Sequence, residues 1–88
     1  MPIYKLSEER RMKYHLYAKL PEGYGSSSGM ITISDYLEED SERAMDTGEE
    51  FFYSQRNLGH DVQVFLQDVS TGKDILMLDP NTVEWVDL

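Results

Sequence analysis

The chain has 88 residues, a formal net charge of −9 and no cysteine. This length is typical of one domain, so we expect residues 1–88 to fold as a single domain. The lack of cysteine excludes disulfides and thiolate metal sites and favours a reducing, cytoplasmic compartment. No apolar run is long enough to cross a bilayer. The excess of carboxylates argues against direct binding of nucleic acid through phosphate contacts.

The first half of the chain predicts two strands joined by a long loop. Residues 12–20 alternate with a period of two, which is typical of a strand with one buried face. The apolar side is Met12, Tyr14, Leu16, Ala18 and Leu20, and the other side is Lys13, His15, Tyr17 and Lys19. A short edge strand over residues 2–6 could precede it. Residues 21–29, rich in Gly and Ser, predict a mobile loop in which Tyr24 is the candidate anchor for a partner.

Residues 30–37 resume the alternation. This pattern places Ile31, Ile33 and Leu37 on the inner face of the sheet and Thr32, Ser34 and Tyr36 on the outer face. Asp35 interrupts the inner face, so a helix could start early at an Asp35–Glu38 capping box. We favour a later start of the helix.

Residues 40–59 carry the spacing of an amphipathic helix. Its expected inner face is Ala44, Gly48, Phe51, Phe52 and Leu58. Ser41 or Asp40 is the expected N-cap, and Gly59 is placed to end the helix in a left-handed conformation. We expect Gly48 where the helix passes closest to a strand, because glycine otherwise weakens a helix.

Three further strands are predicted after the helix, over residues 60–69, 73–79 and 83–88, separated by turns at Ser70-Thr71-Gly72 and Asp79-Pro80. The expected architecture is therefore α+β. It has a mostly antiparallel sheet of four to six strands with one long helix across one face, in the order ββαβββ.

Catalytic, metal and cofactor sites have little support in the residues. His15 and His60 have no nucleophile at a recognisable spacing, and we interpret both as structural or surface residues. The glycines at 23, 25 and 29 precede a strand rather than a helix, which excludes a phosphate loop. We therefore expect no enzymatic activity, no metal and no cofactor.

Carboxylates are concentrated between residues 35 and 50. The candidate partner-binding set is Asp35, Glu38, Glu39, Glu42, Asp46, Glu49 and Glu50, together with Tyr24. One interpretation is an ordinary solvated helix face. The other is phosphate mimicry, because carboxylates one helical turn apart are separated by about 5–6 Å, a distance similar in scale to phosphate spacing along a strand.

The outer face of the sheet offers an alternative site. It would combine basic and aromatic side chains as single-stranded nucleic-acid platforms do. Its residues would be Lys13, His15, Tyr17, Lys19, Tyr36 and Phe65.

The composition is similar to that of small acidic phage and mobile-element proteins that block host nucleases, such as anti-restriction and anti-CRISPR proteins. This analogy and the acidic run favour a non-enzymatic inhibitor that binds a basic, nucleic-acid-handling protein by charge mimicry. The alternatives are a small nucleic-acid-binding module that uses the outer sheet face, and a structural subunit that oligomerises by strand addition.

Overall fold

A computed structural model describes residues 12–20 and 29–88. In chain order the elements are strands β1 (Tyr14–Lys19) and β2 (Met30–Tyr36), helix α1 (Ser41–Asn57), and strands β3 (Gln63–Asp68), β4 (Lys73–Leu78) and β5 (Trp85–Asp87). The strand expected over residues 2–6 and most of the predicted loop, including Tyr24, lie outside the described residues.

The five strands form one antiparallel sheet in the order β2-β1-β3-β4-β5. Helix α1 packs against β1, β2 and β3 on one face of this sheet. The predicted α+β architecture in the order ββαβββ is therefore confirmed. In the described part of the chain, no helix has both the length and the apolar character needed to span a bilayer.

The core lies between α1 and the sheet. Its buried members are Leu16, Ala18, Tyr36, Ala44, Phe52, Val62, Val64, Leu66 and Leu78. Alternation along β1 and β3 turns one set of side chains toward the helix, as the period of two predicts. On α1 the predicted inner residues Ala44, Gly48 and Phe52 are buried, and Phe51 is half-buried. Leu58 was predicted wrongly: it is 67% exposed, because the helix ends one residue before it.

The two ends of α1 are closed differently. A 3-10 turn over Glu38–Asp40 precedes the helix, so the later start is correct, but Asp40 at the N-cap makes no side-chain hydrogen bond to the helix. At the other end, Gly59 has a φ of +82°. The Gly59 N–H donates to the Arg56 carbonyl at 2.9 Å, and the His60 N–H donates to the Gln55 carbonyl at 2.8 Å. These two bonds form a Schellman motif, which confirms the predicted glycine cap.

A β-bulge in β2 changes which side chains face the helix. Leu16 pairs with Ser34 and Tyr17 pairs with Thr32, so Ile33 is an extra residue in the ladder. Because a one-residue insertion exchanges the two faces of a strand, Tyr36 lies opposite Tyr14 and joins the core at 9% exposure. The predicted placement of Tyr36 on the outer face is therefore wrong.

Gly48 marks the closest approach between α1 and the sheet. A Cβ atom built on Gly48 would lie 2.7 Å from Cζ2 of Trp85 and 3.3 Å from Cδ1 of Leu16. The indole N–H of Trp85 donates to Oε2 of the neighbouring Glu49 at 3.1 Å. The predicted close passage thus exists, and it is made by side chains of β1 and β5 rather than by strand backbone.

Candidate functional site

An acidic stripe runs along the solvent side of α1. Glu42, Asp46 and Glu50 are all exposed, and each lies one turn from the next. None of the three forms an ion pair with another described residue, since the ion pairs found there are Lys13–Asp68 and His15–Asp35. No described side chain therefore forms a salt bridge with these three carboxylates. We call these three residues the acidic stripe.

Of the other predicted acidic residues, two are exposed near the start of the helix and two are bonded to other side chains. Glu38 and Glu39 are exposed in the 3-10 turn, next to the N-terminal end of the helix. Glu49 is half-buried and accepts the hydrogen bond from Trp85, so it holds β5 against the helix. Asp35 lies on β2, where its Oδ1 is 2.6 Å from Nδ1 of His15. The structure thus separates Glu49 and Asp35 from the acidic stripe, and Tyr24 lies outside the described residues.

Tyr53 extends the acidic stripe with an aromatic side chain. It follows Glu50 by three residues, which places both on the same side of the helix. Its side chain is 47% exposed, while its ring packs edge-on against Phe52 with the centroids 5.9 Å apart. Tyr53 was not among the predicted site residues, although its three-residue spacing from Glu50 is visible in the sequence.

The outer sheet face carries a continuous stack of side chains. The ring of Tyr17 is stacked between His15, at a centroid distance of 5.6 Å, and Phe65, at 5.4 Å. The Lys19 ammonium lies 5.0 Å from the centroid of Phe65. The structure therefore brings these four predicted residues together. Tyr17 is only 5% exposed and Phe65 only 8%, however, so neither ring presents an open surface for a nucleobase.

Tyr17 is also bonded to a carboxylate. Its hydroxyl donates to Asp74 on β4 and lies 2.8 Å from both carboxylate oxygens. Burial, aided by this hydrogen bond and by the charge of Asp74, raises the pKa of Tyr17 to about 12. The phenol therefore stays protonated at neutral pH, where it acts as a hydrogen-bond donor rather than as a base.

The charges on this face are largely compensated. Nζ of Lys13 lies 3.3 Å from Oδ2 of Asp68, and the Ser70 hydroxyl donates to Oδ1 of Asp68 at 2.6 Å. The bond from Ser70, with a contribution from Lys13, lowers the pKa of Asp68. His15 is paired with Asp35 in the same way. Lys13 and His15 are thus paired with neighbouring carboxylates, whereas the Lys19 ammonium lies over the Phe65 ring.

A pocket lies at the C-terminal end of α1, on a different part of the surface. Its volume is about 310 Å³, and it is lined by Phe52, Arg56, His60, Asp61, Val62, Gln63 and Pro80. We call it the α1 pocket. This pocket was not predicted: six of its seven lining residues lie between positions 52 and 63, but Pro80 comes from the turn after β4.

The described residues contain no group of three or more His, Cys, Asp or Glu side chains arranged to hold a metal ion. No protein-family model, curated protein or solved structure matches the chain. What the molecule does must therefore be inferred from its own surfaces.

Proposed function

We propose that the chain is a non-enzymatic binding module that docks the acidic stripe of α1 onto a basic groove of a nucleic-acid-handling protein. By occupying that groove it would inhibit the partner, as phage and mobile-element inhibitors of nucleases do. The observation that carries the proposal is the row of three exposed carboxylates on one helix, unpaired with any described residue. The proposal includes a cytoplasmic location, where such partners act.

The geometry of the stripe supports recognition of a phosphate-binding groove. Carboxylates one turn apart are separated by about 5–6 Å on a rigid helix. A groove lined by Lys and Arg to hold phosphates offers complementary charge at a similar spacing. Because α1 is anchored to the sheet through Phe52 and through the Trp85–Glu49 hydrogen bond, the stripe is ordered before binding. Preorganisation lowers the entropic cost of association.

Tyr53 gives the acidic surface an apolar contact beside its charges. Tyrosine is enriched among residues that dominate binding energy at interfaces, where a partly exposed ring becomes buried. Charge on the stripe would then set the rate of association and its salt dependence, and Tyr53 would add to the lifetime of the complex.

The competing use of the outer sheet face is weaker. Tyr17 and Phe65 are buried, Tyr36 belongs to the core, and Lys13 is paired with Asp68. A single-stranded nucleic acid needs exposed ring faces and cations that can reach its phosphates. The carboxylates of the acidic stripe, in contrast, are already exposed and can contact a basic groove without rearrangement.

Self-association through β2 is a second candidate function. Among the described strands, β2 lies at one end of the sheet, and its Ile31 is 39% exposed. An apolar edge strand is a template for pairing with another chain. Light scattering over a wide concentration range would detect this association as a rise in mass, and the same rise should disappear when Ile31→Lys places a charge at the edge.

The test of the main proposal uses two variants that lose equal charge. One variant removes the acidic stripe through Glu42→Gln, Asp46→Asn and Glu50→Gln. The control removes three exposed carboxylates elsewhere through Asp61→Asn, Glu84→Gln and Asp87→Asn. Binding is measured against a panel of purified basic endonucleases and DNA-binding proteins, with duplex DNA as a competitor.

We expect the wild-type chain and the control to bind at least one panel member. Added DNA should displace them, and affinity should fall as salt rises, because surface charges are screened over about 8–10 Å. The stripe variant should bind more weakly and with a shallower salt dependence. Equal binding by the two variants, or no DNA-displaced binding anywhere in the panel, would contradict the proposal.

A further inference from the structure

The α1 pocket holds an arginine that is fixed in place before any ligand arrives. Cζ of Arg56 lies 4.7 Å from the centroid of the Phe52 ring, and Nη2 donates to the Pro80 carbonyl at 2.6 Å. A guanidinium carries five N–H donors, of which this bond uses one. Its remaining donors make no hydrogen bond within the described residues. Arg56 is therefore an exposed cation, held by these two contacts, with unused donors at the wall of a pocket.

A negative charge lines the same pocket. Asp61 is exposed in the segment between α1 and β3, and it forms no ion pair with Arg56 or with any other described residue. The pocket thus displays one positive and one negative side chain that do not neutralise each other. An occupant with a single charge can pair with one of these groups, whereas an occupant with one positive and one negative charge can pair with both.

The rest of the wall combines carbon surface from Phe52, Val62 and Pro80 with the polar side chains of His60 and Gln63. A volume of about 310 Å³ lies at the lower end of the range for small-ligand sites, roughly 300–1,000 Å³. The occupant must therefore be small and must combine an apolar body with polar ends.

The charge of the whole chain restricts the occupant further. At a net charge of −9, the chain repels a free anion at long range. A ligand with balanced charges avoids this repulsion and still offers a carboxylate to Arg56. The two charged side chains of the pocket and the net charge of the chain therefore both favour a zwitterionic ligand.

We propose that the α1 pocket binds a free α-amino acid with an apolar side chain. Its carboxylate would accept hydrogen bonds from Arg56, its ammonium would face Asp61, and its side chain would lie against the apolar wall. This site shares no residue with the acidic stripe, so it goes beyond the proposed function and does not depend on it.

The probe is phenylalanine, compared with two analogues that each lack one charge. 3-Phenylpropionate lacks the ammonium and 2-phenylethylamine lacks the carboxylate. Binding is followed by amide chemical shifts of the ¹⁵N-labelled full chain. Phenylalanine should give saturable shifts at Arg56, Asp61 and Gln63. Each analogue should bind at least about tenfold more weakly, since a hydrogen bond to a charged group is worth about a decade or more in affinity.

Matched substitutions test the two charged contacts. Arg56→Gln and Asp61→Asn should each weaken phenylalanine binding by about tenfold or more. Arg43→Gln and Asp87→Asn remove the same charges from exposed positions outside the pocket and should leave binding unchanged. Because Arg56→Gln also removes the contact with Phe52, Asp61→Asn at an exposed position keeps the test valid if the first variant unfolds.

Three results would overturn the proposal. One is 3-phenylpropionate binding as tightly as phenylalanine, which would show a plain anion site. A second is phenylalanine binding that Asp61→Asn leaves unchanged, and a third is the absence of saturable shifts at the pocket. The variant without the acidic stripe should bind phenylalanine like the wild type. Loss of phenylalanine binding can therefore be distinguished from loss of partner binding through the stripe.

Discussion

The contact between Gly48 and Trp85 supports a prediction in which two effects of one methyl group oppose each other. In an isolated helix, Gly48→Ala would stabilise the helical state by about 1 kcal/mol. Here the new Cβ would lie 2.7 Å and 2.9 Å from two atoms of the indole ring. Forcing extra volume into a packed site costs about 1–3 kcal/mol. Displacing the ring would also weaken the bond between Trp85 and Glu49.

We therefore expect Gly48→Ala to destabilise the chain by about 1–3 kcal/mol, the steric cost and the weakened bond together exceeding the gain in helix propensity. For a domain of this size, each kcal/mol lowers the melting temperature by about 4–8 °C. Thermal unfolding followed by circular dichroism measures the loss. Fluorescence of Trp85, which is the single tryptophan in the sequence, reports whether the ring has moved.

Replacing the ring should reverse the sign of the effect. In a Trp85→Leu background, the obstructing ring atoms are absent, so Gly48→Ala should become neutral or stabilising by up to about 1 kcal/mol. The double-mutant cycle would then give a coupling energy of about 1–4 kcal/mol between the two positions. Gly48→Ala that stabilises the wild type, or that has the same effect in both backgrounds, would refute the packing described for α1 and β5.

Two further predictions concern the core between α1 and the sheet, and Tyr17 on the outer sheet face. Phe52→Ala should cost about 3–5 kcal/mol in urea unfolding, whereas Leu58→Ala at an exposed position should stay within about 0.5 kcal/mol, and similar losses in both would contradict the core described here. For Tyr17, the folded-state pKa of about 12 lies above the unfolded value of 10.0, so its stabilisation is complete below pH 10 and is lost as pH rises toward 12. Tyr17→Phe should flatten this alkaline decline, and a decline of unchanged steepness would show that Tyr17 ionises freely.

Local patterns in the sequence account for most of the fold. A period of two identified β1 and β3, and the three-and-four spacing identified α1 with Ala44, Gly48 and Phe52 inward. Gly59 and Gly72 were placed correctly because a positive φ is a local requirement of a cap and a tight turn. These features depend on a few adjacent residues, which a sequence displays directly.

The errors come from features that depend on the pairing partner. The bulge at Ile33 exists only in the ladder between β1 and β2, so alternation alone placed Tyr36 on the wrong face. The burial of Tyr17 depends on neighbours on other strands, including Asp74 on β4. The α1 pocket likewise needs Arg56 and Pro80 to meet, although 24 residues separate them. No single window of the sequence contains these contacts.

Spacing alone set Glu42, Asp46 and Glu50 one helical turn apart, but the predicted binding set also included Glu49 and Asp35. Glu49 belongs to the same run of charges as Glu50, yet it is bonded to Trp85 and serves packing. Asp35 is paired with His15 instead. Sequence analysis could not make this division, because both partners are distant in the chain.

The substitution Asp46→Lys tests the central claim most directly, because it should move stability and binding in opposite directions. Asp46 lies four residues from both Glu42 and Glu50, so a lysine there converts two repulsive pairs into attractive ones. The new lysine is also repelled by Arg43, three residues away, so the net gain in stability should be about 0.5–1 kcal/mol at low salt. Asp87→Lys makes the same change in charge at an exposed residue of β5, outside the acidic stripe.

The measurement is the affinity of both variants for the basic panel protein that binds the wild type most tightly, at low salt. The acidic stripe predicts weaker binding for Asp46→Lys than for Asp87→Lys, even though the Asp46→Lys chain is the more stable one. Equal affinities in the two variants would contradict the assignment of binding to α1.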